Sequence, residues 1–287
     1  MMNLTKRIRF FFTRGAIKHL SIHLLQILGV LWLFVEVASY FFTQMSEKKQ
    51  QIFFGFVSLA VVWTLLRALP PVMHSKKSRS SDIEIEIKVG NLLEEPSNIA
   101  FGCSDCFDTE PEVVVGPNSL IAQLVRRFYK GDHQALDSHI FQYLNSNNIS
   151  GKDDSTKLFG KKTRFDLGTV AIVPVQDYKA FLLVFSVTND DKTTTTTKED
   201  LWGSLCHLWA AIRRNGFLEP ITVPVFGSGL ARFPASRISL IQLLVLSFVI
   251  ASREAKVSKK LTISIATQDY DPAEMVEVIE FLRTLDF

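Results

Sequence analysis

Pro224-Val225-Phe226-Gly227-Ser228-Gly229-Leu230-Ala231-Arg232-Phe233-Pro234 is the stretch on which the reading of this chain turns. It joins a β-like apolar run at residues 221–226 to a long apolar, helix-like run at 238–250. Two glycines in three residues let the backbone turn sharply and approach a ligand, and a helix start just beyond aims unpaired N–H groups at an anion. An ordinary strand-to-helix turn is the plain alternative. Three better-known loops fail the test. The Gly-Lys-Ser/Thr ending of a Walker loop is missing. Ser228 has Phe226 and Leu230 where a nucleophile elbow needs glycines. The third small position of a dinucleotide fingerprint would be Arg232, too bulky for close helix-to-sheet packing. What remains is a strand, a Gly-Ser-Gly turn and a helix, with no catalytic signature.

Outward from that turn the chain changes character twice. Its 287 residues are 47% hydrophobic with positive mean hydropathy, high for a chain wholly in water. The net charge of +3 hides a split, with 11 Lys and Arg against 2 acids in residues 1–81 and 21 against 27 in residues 82–287. A basic arm on a mildly acidic domain fits a membrane-proximal segment and argues against nucleic acid as a partner, since a nucleic-acid face is itself basic. Cys103, Cys106 and Cys206 are too few for a disulfide framework and point to a reducing compartment. Cys103-x-x-Cys106 has no second pair, so no metal is expected.

The N-terminal third reads as three pieces. Residues 1–19 carry Lys6, Arg7, Arg9, Arg14 and Lys18 with no acid, a basic amphipathic segment suited to an anionic membrane surface. Residues 20–72 hold two apolar runs separated by a polar loop at 43–51 and ended by Pro70-Pro71. Their lengths predict two transmembrane helices, with Gln26 and Glu36 inside the first. A helical hairpin buried in a core is the alternative. Basic residues at both outer ends of the hairpin place both termini in the cytoplasm of a two-pass inner-membrane protein. Residues 73–81 read as a Lys/Ser/Arg linker.

From residue 82 to 287 strands and helices interleave. Ile83-Glu84-Ile85-Glu86-Ile87-Lys88-Val89 alternates strictly and is predicted to be a strand near a sheet edge. Further strands are expected at 98–102, 169–175, 180–187, 221–226 and 261–266. Helices are expected at 120–129, 135–145, 198–215, 235–255 and 272–285. Asn118 or Ser119 is the predicted N-cap of the first, and Thr197 with Asp200 forms a capping-box start for the third. The apolar run at 238–250 is too short to span and is read as a helix buried on the sheet. The five threonines 193–197 read as a low-complexity loop without evident chemistry. The pattern predicts one α/β domain with ligands outside the strand ends.

This order, with the 224–234 turn inside it, resembles the macro domains, modules that bind ADP-ribose and its derivatives. Residues 224–234 align without gaps on the stretch that commonly reads Pro-x-Ile-Ser-Thr-Gly-Ile-Tyr-Gly-Tyr-Pro, keeping both prolines, Gly229 and an aromatic at Phe233. Gly90-Asn91-Leu92 stands where the family often has Gly-Asp-Ile, whose Asp contacts adenine; Asn91 keeps the carbonyl and loses the charge. Residues 101–107, including Cys103, Ser104 and Asp105, replace an Asn-Ala-Ala-Asn loop. Val115-Gly116-Pro117-Asn118, followed by Ser119, replaces the glycine-rich first phosphate loop. The resemblance implies a membrane α-hairpin followed by a three-layer α/β macro-like domain with a mixed sheet. The implied ligand site comprises Asn91, Leu92, Cys103, Ser104, Asp105, Gly116, Pro117, Asn118, Ser119, Gly227, Ser228, Gly229, Leu230, Ala231 and Arg232.

The Asn and consecutive glycines used by macro-domain ADP-ribosyl hydrolases are absent, which favours binding over hydrolysis, with no catalytic residue and no cofactor beyond the ligand. Two spans followed by such a domain resemble the membrane effectors of type II Thoeris antiphage systems. That resemblance implies a nucleotide second messenger of the histidine-ADP-ribose type, made by a TIR-domain partner, and a ligand-induced homo-oligomer that disrupts the membrane and leads to abortive infection. A membrane-anchored ADP-ribosyl hydrolase, or another enzyme of ADP-ribose metabolism, is the competing expectation.

Overall fold

A computed structural model describes residues 14–41, 49–67, 71–78, 82–110, 114–189, 193–228 and 234–286. The chain separates into a helical unit, residues 1–72 with 270–280, and an α/β unit, residues 73–269 with 281–287. In the helical unit α1 (Arg14–Phe41) and α2 (Lys49–Arg67) pack on each other. On α2 the small Ala60 and Thr64, one turn apart, are buried, and the Thr64 hydroxyl donates back to the Ala60 carbonyl at 2.7 Å. Leu25, Trp32, Leu33 and Phe34 on α1, with Phe54 and Val62 on α2, are exposed. Two helices therefore stand where two apolar runs were read, and α1 takes in the end of the basic segment. Among the described residues no helix is long and apolar enough to cross a membrane. Residues 1–13 and most of the expected loop lie outside the described residues.

The α/β unit begins at β1 (Met73–Lys77), so the expected linker contains a strand. Its register with β2 (Glu84–Val89) runs from Met73↔Lys88 to Lys77↔Glu84. The alternating Ser, Lys and His of this stretch suit a solvent-facing edge, and Lys76 Nζ donates to the Arg283 carbonyl at 3.0 Å. β1 thus displaces β2 from the edge. Ile85 and Ile87 are fully buried on one face, while Glu86 is buried on the other and accepts from Lys260 Nζ at 3.0 Å and Thr262 Oγ1 at 3.2 Å. Alternation alone could not show that second partnered face.

The remaining strands are β3 (Asn98–Ser104), β6 (Val170–Val175), β7 (Tyr178–Thr188), β8 (Thr194–Thr195), β9 (Ile221–Pro224) and β10 (Lys260–Ile265), with a separate ribbon of β4 (Lys152–Asp153) and β5 (Thr163–Arg164). The sheet runs β1-β2-β10-β9-β3-β7-β6, with β8 paired to β7. β2, β10, β9, β3 and β7 are parallel neighbours; β1, β6 and β8 pair antiparallel. The mixed sheet matches the expectation.

Helices cover both faces. α3 (Leu120–Phe128) and α4 (His133–Ser146) place Leu124, Leu136 and Ile140 against Phe101, Val173 and Leu182. α5 (Lys198–Asn215) packs on β7 and on α6 (Arg237–Glu254), where Trp209 meets Phe248 edge-on at 5.3 Å. Thr197 and Asp200 close the predicted capping box on α5, and Ser119 rather than Asn118 caps α3. α7 (Pro272–Thr284) follows β10.

Candidate functional site

Parallel strands leave their carboxyl ends on one rim, and there a cleft of about 950 Å³ opens. Gly90 and Asn91 follow β2, residues 264–269 come from the end of β10 and the turn after it, 224–228 from the end of β9 and its turn, Ser104 from β3 and Asp108 from the loop that follows; β7 adds Phe185, Ser186 and Thr188. The segment 114–121 closes one side. The two turns singled out in the sequence, 116–119 and 227–228, are thus brought into one cavity.

Each turn is built for close backbone approach. Ser119 N–H donates to the Gly116 carbonyl at 3.0 Å, and the Ser119 hydroxyl accepts from Ala122 N–H at 3.1 Å. This cap leaves the N–H groups of Leu120 and Ile121 outside the helical ladder at the positive end of α3, on the cleft wall. Gly227 has φ of 81°, a left-handed conformation open to glycine, and the Ser228 hydroxyl donates to the Val225 carbonyl at 2.7 Å. Gly102 serves by absence, since a Cβ there would fall 2.0 Å from the Phe185 ring. Phe185 in turn sits edge-on to Phe226, ring centres 5.8 Å apart, forming an aromatic wall.

The anticipated site residues divide. Asn91, Ser104, Gly116, Pro117, Asn118, Ser119, Gly227 and Ser228 line the cleft. Asn91 is partly committed, its Oδ1 accepting from Leu93 N–H at 3.1 Å to cap a short 3-10 turn, Leu92–Glu94. Leu92 and Cys103 touch the cleft but are buried in the α3/α4 core, and burial pushes the Cys103 thiol far above its ordinary range, so it stays protonated. Asp105 corrects the expectation. It is not part of the cleft wall: its Oδ1 accepts from Thr188 N–H at 3.0 Å and its other oxygen pairs with Arg164, which also binds Asp154. A β-bulge between Cys103 and Ser104 changes the register where the loop begins, which spacing cannot foresee. Gly229, Leu230, Ala231 and Arg232 lie outside the described residues.

Several lining residues escaped the sequence reading. Asp108 is buried against Lys157 at 2.9 Å and also accepts from Lys161 N–H at 2.7 Å and from the Ser104 hydroxyl at 3.2 Å. Arg237, in the first turn of α6, is the one cationic side chain among the described lining residues, and its guanidinium donates to the Asp269 carbonyl at 2.5 Å. The threonines 193–195 form part of the wall; 194 and 195 are strand β8. The rule that ligands gather at parallel strand ends would have found 186–188 and 264–269 once strand order was known, and order is what a single sequence withholds. Among the described residues no group of three or more His, Cys, Asp or Glu could hold a metal ion.

A mixed sheet covered on both faces, with a cleft over its parallel strand ends, is the macro-domain class of fold. The macro domain of Oceanobacillus iheyensis with MES bound superposes with a TM-score of 0.50, at 13% identity, over 74% of this chain and 98% of that one. The same domain with ADP gives 0.49 at 14% identity, over 74% of this chain and 97% of that one. The family described as Thoeris protein ThsA, Macro domain matches residues 85–266, and the chain belongs to that family. Thoeris protein ThsA of Bacillus amyloliquefaciens (strain Y2) is 26% identical over 207 residues, covering 69% of this chain and 67% of the relative.

Proposed function

We propose that this protein is a non-enzymatic antiphage effector whose α/β unit binds an ADP-ribose-derived second messenger. The carrying observation is the cleft, where the start of α3 offers the N–H groups of Leu120 and Ile121 to a diphosphate and the Gly227 turn brings its backbone to the same wall, inside a chain of the Thoeris ThsA macro family. Binding without turnover is supported by the state of the buried carboxylate. Asp108 is committed to Lys157, Lys161 and Ser104, which leaves it poorly placed to take a proton from water.

The messenger of this reading is of the histidine-ADP-ribose type and comes from a TIR-domain partner. Its binding drives several copies together, and α1 and α2 then act on the inner membrane as a two-pass hairpin with both termini cytoplasmic. No described helix is long and apolar enough to cross a membrane. Support comes instead from the exposed aromatic and aliphatic side chains of the pair and from the basic residues at its outer ends. A ligand moves such an equilibrium only by preferring one state, about 10⁴-fold for a shift from 1:99 to 99:1, and assembly lets several binding events share that requirement.

Calorimetry of the full-length protein with ADP-ribose tests the site. Gly116→Val is the informative variant, because a Cβ there meets nothing within 4 Å and so projects into open space without disturbing the fold. The expected result is binding by the wild type and at least a tenfold loss in the variant, about 1.4 kcal/mol. No binding by the wild type, or equal affinity in the two, would remove the proposed site.

A further inference from the structure

We propose that the threonine hairpin made by the end of β7 and by β8 is the wall that reads the sugar end of the nucleotide, with Thr188 Oγ1 as its central hydrogen-bonding atom. This rests on the nucleotide reading and goes beyond it by assigning ligand discrimination to a segment whose sequence suggested no chemistry. Thr188 is 3% exposed and lines the cleft, and its Oγ1 is buried without a hydrogen-bond partner. Its backbone is fully engaged, the N–H donating to Asp105 Oδ1 at 3.0 Å and the carbonyl accepting from Arg164 at 3.1 Å. The Asp105-Arg164-Asp154 group therefore braces the hairpin, while the hydroxyl it positions remains unused.

A buried hydroxyl left unmade is destabilising, and a valine of the same shape would avoid the loss. A polar atom on a ligand cleft, held at that cost, is accounted for by a group that arrives with the ligand. The chemistry of the wall selects which group. Ser186, Thr188, Thr194 and Thr195 are uncharged and hydroxylated, so each can both donate and accept. Vicinal sugar hydroxyls ask for that pairing; a diphosphate asks for donors and positive charge, which α3 and Arg237 provide elsewhere in the cleft. Dimensions agree. From β2, which Asn91 follows, to β7 there are four strand intervals, roughly 19 Å at the usual spacing, enough for an extended nucleoside diphosphate sugar. Oγ1 is closed to water in this state, so the proposal requires β8, registered to β7 by Val187↔Thr195 and Thr188↔Thr194, to shift as the ligand enters.

The test compares ADP-ribose with ADP, which lacks the terminal ribose, on the full-length protein carrying Thr188→Val or Thr188→Ser. Thr188→Val is expected to lose about tenfold in ADP-ribose affinity, the scale of one hydrogen bond, with ADP affinity unchanged and Thr188→Ser close to wild type. Its melting temperature should not fall, because the hydroxyl stabilises nothing in the empty protein. If the wild type binds ADP-ribose and Thr188→Val weakens both probes equally, or neither, this proposal is overturned and the nucleotide site stands. If the wild type binds neither probe, the site and this wall fall together.

Discussion

Two apolar helices in this chain meet opposite fates. α6 carries an apolar run at 238–250 and buries Leu240, Ile241, Leu244, Val245 and Phe248. α1 is longer and also apolar, yet Leu25, Val30, Leu33 and Phe34 are exposed. The difference lies in the polar interruptions. Ser247 of α6 is buried, accepts from Trp209 Nε1 at 2.9 Å and donates to the Leu244 carbonyl at 2.8 Å, so its partners are supplied by the same unit. On α1, Gln26 and Glu36 are exposed. A helix whose polar groups are buried along with its apolar face is a core element; one that presents polar and apolar groups outward is suited to a surface supplied by something else.

The sharpest way to break this contrast is a pair of phenylalanine substitutions. Phe248→Ala should cost about 3–5 kcal/mol of stability, because it empties a fully packed site against Trp209. Phe34→Ser, at a residue 65% exposed, should stay within about 0.5 kcal/mol in denaturant titration while reducing flotation with anionic vesicles. Equal destabilisation by the two would mean that the outer surface of α1 is already covered in the folded protein.

The same contrast explains what was legible in the sequence. Periodicity located α3, α4, α5, α6 and α7, because each has a partner in the chain that enforces its pattern, and the Thr197/Asp200 box marked the start of α5. β1 was missed because an edge strand has no apolar face to imprint on His74, Ser75 and Lys76. In the site, glycine and cap chemistry marked the turns 116–119 and 227–228, which both line the cleft, since turns leave local signatures. Asp105 misled because its partners, Arg164 and Thr188, are 59 and 83 residues away. Thr188 and Arg237 were invisible for the same reason, their importance depending on which strand ends lie side by side.

An intermediate effect is expected where α6 turns from core to ligand. Its first turn presents Arg237 to the cleft, tied to Asp269, whereas the rest of the helix serves packing. Arg237→Ala should weaken ADP-ribose binding about five- to tenfold, as loss of one charge-assisted contact, and should lower stability far less than Phe248→Ala. Calorimetry at two salt concentrations checks it, since the wild-type advantage should shrink as salt rises. An unchanged affinity would confine α6 to a packing role.

The smallest effect concerns how a packed helix is fastened at its end. Tyr129, the C-cap of α3, donates its hydroxyl to the Pro174 carbonyl of β6 at 3.0 Å, and His139 Nδ1 of α4 lies 3.2 Å from the Tyr129 hydroxyl oxygen. Burial pushes the phenol up to about 12, above its ordinary value of 10.0. The folded protein therefore holds this proton more tightly than the unfolded chain does. Its contribution to stability is fully present below pH 10 and is lost as pH rises between 10 and about 12. Tyr143 on α4 is displaced upward by burial as well, so Tyr129→Phe should flatten the alkaline decline without abolishing it. Melting temperatures of both proteins across that range provide the check. Below pH 10 the variant should sit slightly lower, by the loss of one hydrogen bond worth about 1 kcal/mol, and the two curves should converge as the wild-type phenol ionises. Curves that stay parallel would show that the phenol ionises as it does in the unfolded chain, and that it is not buried in solution.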